Sequence, residues 1–302
     1  MIIGGKEFDT ENKSFIMGVL NVTPDSFSDG GRFYSKRTGG RLLSADPTGT
    51  KQTEDRYYIN REAALDHVER MIYEGADIID IGGESTRPGS RYIDAKEEIK
   101  RVIPVIKKIR AYSNVPISVD TRKYDVMSAA FDAGADILND VSAMEDDNRL
   151  LGFAAKEKIP VILMHKRGVP SVMMDDIKYD DVFKNVNEYL EKRAEIALQN
   201  GISSDKIIVD PGIGFGKNRE QNAVLIKRAG ELCAKKYMVL MALSRKTFFG
   251  DVCQRSVEDR LWGTIAANVY SVLNGVSMVR VHDTAPAVDS IKVIREILNA
   301  GS

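Results

Sequence analysis

The chain has 302 residues, and its 43 Lys+Arg against 44 Asp+Glu leave a formal net charge of −1, which excludes the broadly basic surface of a general nucleic-acid binder. A 43% hydrophobic and 29% charged composition is that of a globular chain long enough for one large domain or two ordinary ones. Two cysteines, Cys233 and Cys253, form no disulfide framework and have no metal-ligand spacing, the N-terminus lacks the apolar core of a signal peptide, and no apolar run approaches the ~18 residues of a membrane span. The expectation is a cytoplasmic chain with free, buried or half-buried thiols.

In chain order, FIMGVLN (15–21), DIIDIGG (77–83), PISVD (116–120), DILND (136–140), PVILMH (160–165), KIIVD (206–210), MVLMALS (238–244) and VSMVRVHD (276–283) read as strands. Their near-continuous apolar character is that of parallel strands covered on both faces. Amphipathic patterns separate them. Ala64, Leu65, Val68, Met71 and Ile72 make one stripe, Ile99, Val102, Ile103, Ile106 and Ile109 another, and further helices fit about 122–133, 147–158, 179–200, 219–235, 256–274 and 285–299. Asp94 with Glu97 and Asn218 with Gln221 read as capping boxes. Strict strand-then-helix alternation over eight units predicts an α/β fold, a single (β/α)8 TIM barrel spanning 1–302. One segment breaks the rhythm: Ser35 to Asn60 is polar, Gly/Thr-rich and without either period, so it reads as a long inserted loop after the first strand, on the active-site face.

Polar residues fall where a barrel puts its chemistry, at the C-terminal ends of strands: Asn21, GESTRP (83–88), Asp120-Thr121-Arg122, Asn139-Asp140, Met164-His165, Asp210, Ser244-Arg245-Lys246, and Arg280, His282 and Asp283. Asp120, Asn139 and Asp210 come from separate strands. Their carboxylates and carboxamide suit a neutral heterocycle with adjacent N–H and NH2 donors, and equally a divalent metal. Arg87, Lys246, Arg280 and His282, with Asn21, are typed for a phosphate or diphosphate.

DPGIGFGK (210–217) is neither a Walker A loop, because Pro211 stands six residues before Lys217, nor a GxGxxG loop, because Lys217 occupies the third glycine position. Its glycines fit either a simple turn or the close approach of a flat ligand with Phe215 stacking on it. His67 reads as a solvated helix face, and His165 is balanced between a structural and a ligand-contacting role. Three histidines without shared spacing argue against a zinc enzyme, and no nucleophile signature is present.

Taken together, LNVTPDSFSDGG (20–31), IGGESTRPGS (81–90), SVDTRK (118–123), LNDVSA (138–143), DPGIGFGK (210–217), SRK (244–246) and RVHD (280–283) resemble the dihydropteroate synthase family, in the family's order and across almost the whole chain. The resemblance implies a (β/α)8 barrel that condenses 6-hydroxymethyl-7,8-dihydropterin diphosphate with 4-aminobenzoate to 7,8-dihydropteroate and diphosphate, a transferase step of folate biosynthesis and the target of sulfonamides. Carried over by position, it implies pterin contacts from Asp120, Asn139, Met164, Asp210, Phe215 and Lys246. Asn21, Arg87, Arg280 and His282 would hold diphosphate, with Asn21 also a ligand to Mg2+. Phe27, Thr86, Pro88, Lys246 and Thr247 would hold 4-aminobenzoate. The implied catalytic set is Asp29, Arg87, Asp120, Asp210 and Lys246, and the implied assembly is a homodimer.

The implied reaction is dissociative, with the pterin methylene C–O bond breaking before the aniline attacks, so no strong base is required. Two features depart from the family pattern: the length of the 35–60 insertion, and Thr247 where serine is common. Two other readings stand beside the synthase, a corrinoid-dependent methyltetrahydrofolate methyltransferase and a catalytically silent pterin-binding paralogue. Arg280, His282, Asn21 and STRPG argue against the first, which has no use for diphosphate.

Overall fold

A computed structural model describes residues 1–9, 13–23, 34–35, 58–59, 61–86, 90, 92–168 and 177–301. Eight parallel strands close on themselves in sequence order: β1 (Phe15–Asn21), β2 (Ile78–Gly82), β3 (Ile117–Asp120), β4 (Ile137–Asp140), β5 (Val161–Met164), β6 (Ile207–Asp210), β7 (Met238–Met241) and β8 (Met278–Val281), which pairs with β1. Each expected strand is present, trimmed by up to three residues at either end. The helices are α1 (Arg61–Glu74), α2 (Ala95–Arg110), α3 (Tyr124–Asp132), α4 (Arg149–Glu157), α5 (Val182–Gln199), α6 (Arg219–Lys227), α7 (Thr247–Cys253), α8 (Leu261–Leu273) and α9 (Thr284–Asn299).

Successive residues of a strand face opposite ways, and this divides the apolar side chains into two cores. One lies between strands and helices, where Val68, Met71, Val102, Ile106 and Ile109 pack on outward residues such as Ile79, Ile81 and Val119. The other fills the barrel. Phe15, Met17, Ile78, Ile137, Ile162, Ile208, Leu240 and Met278 form an interior apolar layer, and Ile3 and Phe8 close it from below. Ile3 lies in, and Phe8 directly follows, a short antiparallel hairpin absent from the expected elements, in which Ile2 pairs with Glu7 and Ile3 with Lys6.

Five expectations are corrected. The helix drawn over 219–235 stops at Lys227 and continues as a 3-10 turn (Ala229–Lys235). Gly230 packs so tightly there that a Cβ would stand 1.7 Å from the carbonyl oxygen of Asn274. The segment drawn as helix from 256 begins at Leu261, and a separate short helix, α7, precedes it. Asp94 caps α2 through the Glu97 amide, but the Glu97 carboxylate turns to Arg101 instead of completing the box, whereas Asn218 and Gln221 complete theirs. Within the expected 35–60 insertion, Tyr34–Ser35 pairs antiparallel with Tyr58–Ile59. Cys233 is buried as expected, but Cys253 is exposed, and His67 is half-buried, not solvated. Among the described residues, no helix is long and apolar enough to cross a membrane.

The floor of the barrel offers a stability test. Phe8 is buried with its ring centroid 4.5 Å from that of Phe15. Phe8→Ala should lower the unfolding free energy by about 3 kcal/mol in a urea titration, with the helical signal of the folded protein unchanged.

Candidate functional site

The site begins one strand step above the apolar layer. Two residues on from Ile78, Ile137, Ile162, Ile208 and Met278, on the same inward face, stand Asp80, Asn139, Met164, Asp210 and Arg280. A further step up brings Gly82, Asn21, Ser244 and His282 to the mouth. Strand register sets Asp120 beside Asn139 and Asp210 beside Met164. A single alternation therefore places the floor, the polar layer and the mouth.

Asp80 is central to this layer, and the sequence reading missed it. Its carboxylate has no exposure; it accepts Arg280 Nε at 2.6 Å and both contacts of the Asn139 amide nitrogen at 3.3 Å. Arg280 extends on to Asp120 at 3.1 Å. The signal for Asp80 was a lone charge inside an apolar strand, which must be paired if it is buried. Arg280, expected with the diphosphate-typed group, is thus ion-paired to the acids. The two expected subsets form one network.

A cleft of about 390 Å³ opens above it. Asn21, Thr86, Asp120, Phe215, Lys246, Thr247, Arg280 and His282 line it, all of them expected site residues, together with Glu84, Arg245 and Arg260, which were not. Asn139, Asp210 and Met164 are buried in the same inward layer as Asp80 and Arg280. Phe27, Asp29, Arg87 and Pro88 lie outside the described residues.

Two turns aim Phe215 and Lys246 at the cleft. In 210–217, Asp210 Oδ1 accepts the Gly212 amide at 2.7 Å. Gly212 has φ +68°, and a Cβ on it would stand 1.9 Å from the His165 carbonyl oxygen, so this glycine serves the approach of the protein's own backbone. Lys217 is almost fully buried; it donates to the carbonyls of Gly212 and Phe215 at 2.9 Å each and meets His165 Nδ1 at 2.9 Å. With Lys217 protonated, which only donates, Nδ1 is the acceptor and the histidine proton sits on Nε2. Burial, with the charge of Lys217, pushes His165 down to about 3. His165 is therefore a structural neutral base, edge-on to Tyr189. Burial likewise pulls Lys217 down to about 7, against the attraction of Asp210.

In the second turn Arg245 takes a left-handed φ of 56°. A bidentate pair with Asp283 at 2.8 and 2.6 Å and the bond from Arg260 Nη1 to its carbonyl at 3.2 Å hold it there. Lys246, the next residue, lies 4.5 Å from the Phe215 ring centroid. Beside the cleft, Glu84 accepts from the Ile93 amide (2.6 Å), Lys123 (2.9 Å) and Arg122 (3.1 Å), tying both ends of the 84–93 loop to the end of β3. Asp140 faces away and holds its own turn through Ser142 and Met144.

Burial raises Asp120 to about 7, with Arg280 opposing and Asp80 reinforcing the rise. Asp210 is also raised by burial, against the Gly212 amide and Lys246. A carboxyl raised from an ordinary 3.8 lends stability that is complete at acid pH and is lost as pH rises from about 4 through about 7. Asp120→Asn should flatten the fall of unfolding free energy over that window by up to ~1.4 kcal/mol per pH unit, read from urea titrations at pH 5, 6 and 7. An unchanged slope would contradict a proton held on Asp120.

With this geometry in view, the pterin-binding enzyme family matches residues 47–282. A dihydropteroate synthase of Streptococcus pyogenes is 39% identical over 294 residues, covering 97% of this chain and 98% of its own. The Yersinia pestis dihydropteroate synthase, solved in a sulfonamide drug complex, superposes with a TM-score of 0.87 at 33% identity, covering 99% of each chain. The Xanthomonas albilineans enzyme, solved with 4-aminobenzoic acid, superposes at 0.81 with 38% identity, covering 96% of this chain and 94% of its own.

Proposed function

The chain belongs to the dihydropteroate synthase family of pterin-binding enzymes, and on that premise we propose that its cleft joins 6-hydroxymethyl-7,8-dihydropterin diphosphate to 4-aminobenzoate, releasing diphosphate. One observation carries the reading: acids, an amide, an aromatic ring and cations from separate strand ends share a single cleft of about 390 Å³, within the range of small-molecule sites. Asp120, Asn139 and Asp210 face the donor edge of the pterin, Phe215 and Met164 pack on the ring, and Lys246 bridges ring and second substrate. Asn21, Arg280 and His282 face the diphosphate. The Thr86 and Thr247 hydroxyls border the 4-aminobenzoate seat, for which sulfonamides compete. Arg87, Asp29, Phe27 and Pro88 complete the set by resemblance.

In the reaction, the pterin methylene C–O bond breaks and the electron pair leaves with diphosphate. Asp120 and Asp210 stabilise the cation left on the ring, and Arg280 and His282 stabilise the departing anion. The aniline nitrogen forms the new C–N bond and then gives up its proton to the departing diphosphate or to water. Among the described residues, no cluster of three His, Cys, Asp or Glu could cage a metal. Asn21, a single amide oxygen at the cleft, would hold an Mg2+ ion, which would supply positive charge to the diphosphate leaving group.

Diphosphate release that requires both substrates and Mg2+, and stops with a chelator, is the direct test. Lys246→Met should lower kcat/KM by roughly 100-fold in that assay. A folded protein that releases no diphosphate would overturn the synthase reading.

The assembly we favour is a homodimer through α8. That helix is inverted: Thr264, Asn268 and Ser271 face the barrel, while Trp262 is 79% exposed and Tyr270 and Leu273 are also exposed. A second copy would cover this apolar face. Light scattering should give twice the chain mass, and Trp262→Glu should give the mass of one chain.

A further inference from the structure

Asn139 can present either of two faces to a ligand, because its amide carries an acceptor on one side and donors on the other. In this barrel the choice is made by Asp80. An ionised carboxylate only accepts, so the Asn139 group facing it must be the NH2, and both Asp80 oxygens stand 3.3 Å from that nitrogen. Asp80 cannot turn away. It is fully buried, and Arg280 Nε holds Oδ2 at 2.6 Å, the length of a charge-assisted bond. Arg280, fastened in turn to Asp120, holds the carboxylate from β8, two strands away across β1. With its NH2 held against Asp80, Asn139 turns its carbonyl oxygen to the opposite side of the amide, on the residue that pairs in register with Asp120.

We propose that Asp80 is the positioning residue that fixes Asn139 as an acceptor and so sets the pattern the site reads on the pterin. The inference rests on the reading of Asn139 as a pterin contact. The geometry carries a sharp consequence. In Asp80→Asn, Arg280 Nε still needs an acceptor, so the new amide must give it Oδ1 and turn its own NH2 toward Asn139. Two NH2 groups cannot face each other, so Asn139 must rotate to offer its carbonyl to residue 80 and its NH2 to the ligand. A change of one atom, on a residue that itself touches no substrate, would invert a recognition element. A site left with a mismatched buried polar group rejects its ligand strongly.

The same logic predicts repair by exchange. In the double variant Asp80→Asn with Asn139→Asp, the NH2 at position 80 donates to the carboxylate at 139, whose second oxygen faces the ligand as an acceptor. Arg280 keeps its acceptor, and the net charge of the pair is unchanged.

The experiment is calorimetric titration of the full chain with 6-hydroxymethylpterin, with melting curves for every variant. Asn139→Ala tests the underlying reading: at least tenfold weaker binding supports it, and parental affinity overturns it, with this inference falling too. With Asn139→Ala impaired, Asp80→Asn is expected to weaken pterin binding at least tenfold, and the exchanged double variant to return within threefold of the parent. Parental affinity in Asp80→Asn overturns the role of Asp80 alone. If Asp80→Asn does not fold, the exchanged variant decides. Affinity within threefold of the parent supports the proposal; weaker binding, or failure to fold, overturns it. A purely structural role for Asp80 predicts no such recovery.

Discussion

A carboxylate enclosed in an apolar tube persists only when donors surround it, and the donors around Asp80 are the side chains from which the site is built. Uncompensated, such a burial costs several kcal/mol; paired with a guanidinium and an amide, it becomes the point from which Arg280 and Asn139 take their orientation. Arg280 then reaches Asp120, so strands β2, β3, β4 and β8 are cross-linked through one polar layer. The apolar layer below matters to this network because it excludes the water that would otherwise loosen it.

Above that layer, strained backbone is held by charge. The left-handed Arg245 persists because Asp283 grips its guanidinium and Arg260 its carbonyl, and the result is the direction of Lys246. The Gly212 turn persists because buried Lys217 gathers the surrounding carbonyls, and the result is the position of Phe215. Glu84 extends the pattern to the rim, where Arg122, Lys123, Asp146 and Lys166 join the loops after β2 to β5. Each device converts an ion pair or a buried cation into the placement of one side chain facing the cleft.

The chemistry we propose follows from putting acids low and cations high around one volume. A reaction that separates a ring-stabilised cation from an anionic leaving group gains most where fixed charges of opposite sign already face the two fragments. Arg280 belongs to both groups, touching Asp120 while lining the cleft. On the proposed reading it is the group that links the diphosphate end of the cleft to the acids at the pterin end.

By itself the sequence determined the eight-unit alternation, the strand ends that carry polar residues, and the motifs that set the family. These are local: period two along a strand, period 3.6 along a helix, and short glycine-bearing turns. It did not disclose α7, whose seven residues follow a left-handed arginine, or the break at Gly230, which answers to the carbonyl of Asn274 just past α8. Nor did it disclose that Arg280 stands among the acids. Asp80 and Arg280 lie 200 residues apart, and nothing near either in the chain indicates the other. Only closing β8 onto β1 brings them together, because the face on which a strand residue points is a local property, whereas the partner it meets across a barrel is set by register and closure.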